Sequence, residues 1–158
     1  MKRVLIVCYS KSGYTATLAH EIATMTGWDL MEIRDMRPRD GDWGQVRCAL
    51  EAMLHLHPGI RIGDKRPGDY ELVLLAAPVW MRSLASPMRT YVAHNRHDFK
   101  QLAFVTTYGG KGAERAAAQA AQLAEKPLKA MFAVTAHELE QADYRARLDL
   151  FLSQLKQA

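Results

Sequence analysis

The sequence predicts a three-layer α/β/α sandwich on a five-stranded parallel sheet, and three observations carry that reading. Apolar runs of strand length alternate with helix-periodic stretches from end to end, the pattern of successive βαβ units. Several runs, Val4 to Cys8 and Leu72 to Ala77 above all, are apolar at every position, as strands covered on both faces must be. Five parallel strands joined by right-handed crossovers commonly adopt the order 2-1-3-4-5, which holds ligands beyond the carboxyl ends of the strands, where strands one and three diverge.

Each element has its own warrant. Strand one covers 3–8, and the helix after it, 16–25, carries Leu18, Ile22 and Met25 at helical spacing. Strand two is short, near 28–33. Residues 34–42 are polar and rich in turn formers, so they read as loop. A helix is predicted over 43–56 from Val46, Leu50 and Leu54, ended by His57-Pro58-Gly59, and 60–70 reads as loop again. Strand three, 71–77, stops at Pro78. Ser86 and Pro87 suit the N-cap and first position of a helix whose apolar face is Met88, Tyr91 and Val92. Strand four covers 102–106, an alanine-rich helix 113–124, and strand five 129–134. Thr135-Ala136-His137-Glu138 fits a capping box, and the last helix aligns Tyr144, Leu148, Phe151, Leu152 and Leu155 on one stripe.

At 158 residues, 49% of them apolar, the chain reads as one domain, 1–158, with one substantial core. No apolar run is long enough to span a membrane, and the N-terminal run is too short for a signal peptide, so a cytoplasmic protein is expected. The two cysteines, Cys8 and Cys48, lie on a predicted strand and helix and read as reduced, buried thiols. No Cys/His spacing suits zinc, and His94 and His97, three apart, read as solvated side chains, so no metal is expected. The net charge of +4 is spread rather than clustered. That argues against nucleic acid and favours anionic small molecules or acidic partners.

Three loops should meet at the ligand edge. The first is Ser10-Lys11-Ser12-Gly13-Tyr14-Thr15, a hydroxyl-rich turn from strand to helix. It aims free backbone N–H groups, three hydroxyls and the helix dipole at one point, which makes a phosphate seat. The second is Pro78-Val79-Trp80-Met81-Arg82-Ser83, and the third is Thr107-Tyr108-Gly109-Gly110-Lys111-Gly112. Each brings one large aromatic residue beside the seat, and the glycines of the third admit a flat ligand closely. A phosphate seat next to two aromatic plates calls for a phosphorylated planar ring, which FMN supplies. Cys8 invites a phosphatase reading, but no arginine stands where a Cys-x5-Arg cradle needs it, and neither GxxxxGK[ST] nor GxGxxG occurs.

These three loops resemble those of the flavodoxin-like family. Ser10 to Thr15 is similar to its phosphate loop, Ser/Thr-x-Thr/Ser-Gly-x-Thr. Ala77-Pro78-Val79-Trp80 followed by Ser86-Pro87-Met88-Arg89 resembles the second loop of small members, and Thr107-Tyr108-Gly109-Gly110 the third, in register along nearly the whole chain. The resemblance implies a flavodoxin-like fold, non-covalent FMN and redox chemistry. The cofactor-binding residues it implies are Ser10, Lys11, Ser12, Gly13, Tyr14 and Thr15, then Pro78, Val79, Trp80, Met81 and Arg82, then Thr107, Tyr108, Gly109 and Gly110. No side chain need be catalytic. The chain departs from acidic electron carriers in being basic, with Lys11, Arg82 and Lys111 in the loops, and in having Met81 where a small residue commonly follows the tryptophan.

Electron transfer with a redox partner protein is the leading expectation. An NAD(P)H-dependent quinone or FMN reductase, with a small acceptor, is the alternative within the class. Outside it stands a flavin-free phosphate-binding or interaction module. A monomer and a homodimer are equally compatible with the sequence, and Trp43 could pack in the core or cover the flavin edge.

Overall fold

Alternation along the strands sorts the core into two layers, one on each face of the sheet. The computed structural model describes residues 2–36, 41–54 and 56–157. In chain order its elements are β1 (Val4–Cys8), α1 (Tyr14–Thr26), β2 (Asp29–Glu32), β3 (Arg34–Asp35), α2 (Gly41–Met53), β4 (Ile60–Arg61), β5 (Leu72–Trp80) and β6 (Ser83–Leu84). These are followed by α3 (Ser86–Asn95), β7 (Leu102–Tyr108), α4 (Ala113–Ala124), β8 (Leu128–Thr135), α5 (Ala136–Gln141) and α6 (Arg145–Gln157). The five long strands run parallel in the order β2-β1-β5-β7-β8, which is the predicted 2-1-3-4-5 arrangement with helices on both sides.

Leu5 and Val7 of β1, with Val73, Leu75 and Ala77 of β5, turn to one face. There they meet Met88, Tyr91 and Val92 of α3 and Ala116, Ala117 and Ala120 of α4. Val4 and Ile6, with Leu72, Leu74 and Ala76, turn to the other, against Leu18 and Ile22 of α1 and Leu148, Phe151, Leu152 and Leu155 of α6. Small alanines let α4 sit close to the sheet, and a period of two along each strand decides which layer a side chain joins. The parallel registers Val4↔Leu72 and Leu5↔Asp29 bring the carboxyl ends of β1, β2 and β5 to a common edge.

Several expectations are corrected. β5 does not stop before Pro78 but runs through it to Trp80, pairing Pro78 with Thr107. Proline lacks only its N–H; its carbonyl still accepts from Ala85 N–H at 3.2 Å. Residues 78–83, expected as an open loop, are a hairpin in which Val79 pairs with Leu84 and Trp80 with Ser83. Parts of the two expected loops 34–42 and 60–70 pair with each other, Arg34 with Arg61 and Asp35 with Ile60; residues 37–40 lie outside the described residues. Ser86 is not an N-cap. Ala85 holds that position, and Ser86 Oγ donates to the Glu51 carboxylate at 2.6 Å. The last helical stretch breaks at Ala142, which has a φ of 58°. The capping box at Thr135 and Glu138 is present in full.

α2 turns its predicted stripe outward. Trp43 is 85% exposed, and Val46, Leu50 and Leu54 are exposed too, while Cys48 and Glu51 point inward. Trp43 therefore belongs neither to the core nor to the cleft described below. Among the described residues no helix is long and apolar enough to cross a membrane.

Candidate functional site

The turn from β1 to α1 is set by Gly13, whose φ of 97° precedes the first helical residue. Gly13 has no side chain with which to cap this helix start, and among the described residues no other side chain accepts from the N–H groups of its first turn. Ser10 Oγ closes the loop beneath them by accepting from Gly13 N–H at 3.1 Å. Ser12 and Lys11 are exposed. Thr15 sits differently from the other hydroxyls. It is 1% exposed, and its Oγ1 lies 2.6 Å from Thr107 Oγ1. This pair straps the first loop to the end of β7. Whichever hydroxyl donates, the other keeps a proton that an anion can accept.

The strand ends form the rest of the site. Ser12 and Tyr14, Pro78, Val79 and Trp80, and Thr107, Tyr108 and Gly109 line one shallow cleft of about 210 Å³. Three separate segments thus meet where the sequence places a ligand. Lys11, Met81, Arg82 and Gly110 stand exposed outside this lining, and Ser10 lines a separate hollow with Glu32 and Arg34. Trp80 is held edge-on by Tyr9, with ring centroids 5.5 Å apart and planes at 82°. The Tyr9 hydroxyl in turn donates to Asp35 Oδ2 at 2.7 Å.

The tip of the hairpin, Met81 and Arg82, has φ of 47° and 60°. Both central residues of this two-residue turn are left-handed, a conformation that Asn-Gly ordinarily supplies. Neighbours enforce it instead. A Cβ on Gly112 would lie 2.6 Å from Arg82 Cα, so the third loop packs directly on the turn. Gln119 of α4 accepts from Leu84 N–H at 2.8 Å and donates to Ser83 Oγ at 3.3 Å.

Tyr14 OH donates to Glu140 at 3.0 Å, and that bond holds its phenol above the ordinary range. Burial first, then the Glu32 charge, pushes the Cys8 thiol up to about 12, so it stays protonated and cannot act as a thiolate nucleophile. Cys8 and Cys48 are both buried and neither forms a disulfide.

A family model described as Flavodoxin matches residues 3–142. The chain belongs to the flavodoxin family. FMN is that family's cofactor, and the uncapped helix start beside the cleft-lining rings of Tyr14, Trp80 and Tyr108 fits its phosphate and ring. No curated protein matches the sequence. Solved flavodoxin-like structures do. The flavoprotein from Lactobacillus acidophilus NCFM in complex with FMN is 22% identical, with a TM-score of 0.76 over 89% of this chain and 98% of that one. The apo form of the flavoprotein from the same organism gives 0.68 at 22% identity, over 89% and 96% of the two chains. Two-electron reduced Megasphaera elsdenii flavodoxin gives 0.52 at 15% identity, over 83% and 85%. At these identities the likeness speaks to the fold.

Sequence reasoning missed Tyr9, Asp35, Ala136 and Gln119. Ala136 lines the cleft from the start of α5. Tyr9 follows the apolar run by one residue and has a signal, an aromatic side chain next to a phosphate-type loop. Gln119 has none, because its partners, the Leu84 N–H and the Ser83 hydroxyl, lie 35 and 36 residues away.

Proposed function

We propose that this flavodoxin-family chain is an electron-transfer protein working through FMN seated in the cleft. One observation carries the reading: segments from three strand ends, each bringing an aromatic ring (Tyr14, Trp80 and Tyr108), line a single cleft beside an uncapped helix start. The first-turn N–H groups of α1, with Ser10 and Ser12, hold the phosphate. Thr15 and Thr107 keep the two loops together and offer one further hydroxyl proton. Trp80, braced by Tyr9, and Tyr108 flank the ring. FMN supplies the redox chemistry when bound. The protein's part is seating, exclusion of water and charge.

That charge is positive. Lys11, Arg82 and Lys111 are exposed on the three loops, and cations near the site favour added negative charge, so the reduction potential should exceed that of an acidic flavodoxin. FMN titration of the purified protein, followed by its visible spectrum, tests the reading. Saturable binding is expected; a colourless protein that does not take up FMN would overturn it. The same three cations favour a second reading, in which an anionic NAD(P)H is the electron donor. Steady-state NAD(P)H oxidation with a quinone acceptor separates the two, since absence of turnover leaves the carrier.

A further inference from the structure

One hollow among the described residues is larger than the FMN cleft. It is a groove of about 710 Å³ between α3 and α4, on one outer face of the molecule. Arg89 and Arg96 enter it from the α3 side, Arg115, Gln119 and Gln122 from α4, and His57 from the connection after α2. Ala93, Ala118 and Leu123 give it an apolar wall.

Its floor holds a buried cation without a direct counter-ion. Arg89 is 1% exposed, and each bond that its guanidinium donates goes to a backbone carbonyl: Leu84 O at 3.1 Å, Leu56 O at 3.2 Å, and Glu51 O. Its Nε has no partner among the described residues. The Glu51 carboxylate contributes at a distance, since its oxygens are taken by Ser86 at 2.6 Å and Arg47 at 2.7 Å. At the rim Arg96 pairs with Glu125 at 3.4 Å, while Arg115 has no ion pair among the described residues. A desolvated guanidinium costs free energy unless negative charge approaches it. The groove is thus positive at floor and rim, carries amides for orientation, and has an apolar wall. Burial, with Arg89 and His94 after it, lowers the pKa of His57, in keeping with that potential.

We propose that this groove is a second ligand site that takes a small organic phosphate, its anionic head between Arg115 and Arg89 and its apolar body against Ala93, Ala118 and Leu123. The site communicates with the hairpin at the FMN cleft. Leu84 is gripped at both backbone groups by groove residues, its carbonyl by Arg89 and its N–H by Gln119 at 2.8 Å. A ligand that draws on Arg89 or Gln119 changes the hold on the strand that closes the Met81-Arg82 turn.

The test is titration of the full chain with pyrophosphate and with AMP at fixed ionic strength, with one equivalent of FMN, followed by amide and arginine Nε–H resonances. Saturable shifts of the Arg89 Nε–H and the Leu84 amide are expected, with AMP tighter than pyrophosphate. Arg115→Ala, at an exposed position, should weaken both by at least about tenfold. Ser12→Ala, in the loop that leads into α1 on the opposite face of the sheet, should leave these groove shifts unchanged. Shifts that fail to saturate, or that survive Arg115→Ala and vanish in Ser12→Ala, would overturn the proposal. The second outcome would place the anion in the phosphate loop. If FMN itself fails to bind, the Arg115→Ala comparison still decides the groove.

Discussion

The turn before α1 and the turn between β5 and β6 both need left-handed backbone, and they obtain it differently. Gly13, at φ 97°, has nothing within 4 Å of where a Cβ would stand, so the residue type alone gives the conformation. Met81 and Arg82, at φ 47° and 60°, carry side chains that disfavour it, by roughly 1–2 kcal/mol per residue. Their turn persists because Gly112 and Gln119 hold it from outside. One loop is shaped by its own sequence and the other by its neighbours. A local change should therefore act locally in the first and across the cleft in the second.

The largest expected effect comes from Gly112→Ala. A Cβ 2.6 Å from Arg82 Cα must displace the hairpin, and φ is already +100°, so a loss of about 2–4 kcal/mol is expected from chemical denaturation, with weaker FMN binding. Gly13→Ala meets only backbone strain. It should cost about 1 kcal/mol, and equal losses in the two variants would erase the distinction between the turns. Arg82→Gly should act with the opposite sign, relieving strain and stabilising by about 0.5–1 kcal/mol even though an exposed cation is lost. A loss of stability there would mean that the hairpin rests on the arginine side chain.

The smallest effect concerns pH. The Thr135 N–H, then its hydroxyl and the Arg147 charge, hold Glu138 below the usual carboxylate range. A depressed carboxylate stabilises the fold above its unfolded pKa, about 4.3, and that contribution fades as pH falls through the folded value. Wild type should thus lose more stability than Glu138→Gln between about pH 5 and pH 3. Because α5 carries Ala136 to the cleft and Glu140 to the Tyr14 hydroxyl, the same comparison reports on the Tyr14 side of the site.

The strands and the turn from β1 into α1 were legible because each is written locally, in unbroken apolar runs and in hydroxyls around one glycine. The hairpin was not, since Met81 and Arg82 are poor turn residues and the contacts that impose the turn come from α4 and the third loop. Proline at 78 looked like a strand end because it removes a donor, yet the strand pairs on through its remaining carbonyl. α2 teaches a further limit. Periodicity at 46, 50 and 54 announced a helix with an apolar stripe, but a stripe does not name its partner, and here it faces outward. Ser86 had the right type and spacing for a cap, and a buried carboxylate 35 residues away claimed its hydroxyl.

The contact of Gly112 with Arg82 also carries a meaning for descent. Two positions separated by thirty residues share one space, with no room for a side chain on the second while the first keeps its turn. In relatives of this chain the two should change as a pair, a longer or glycine-bearing hairpin permitting a larger residue at the position of Gly112. An alignment of enough relatives would then show the link between the loops as correlated substitution, without a structure.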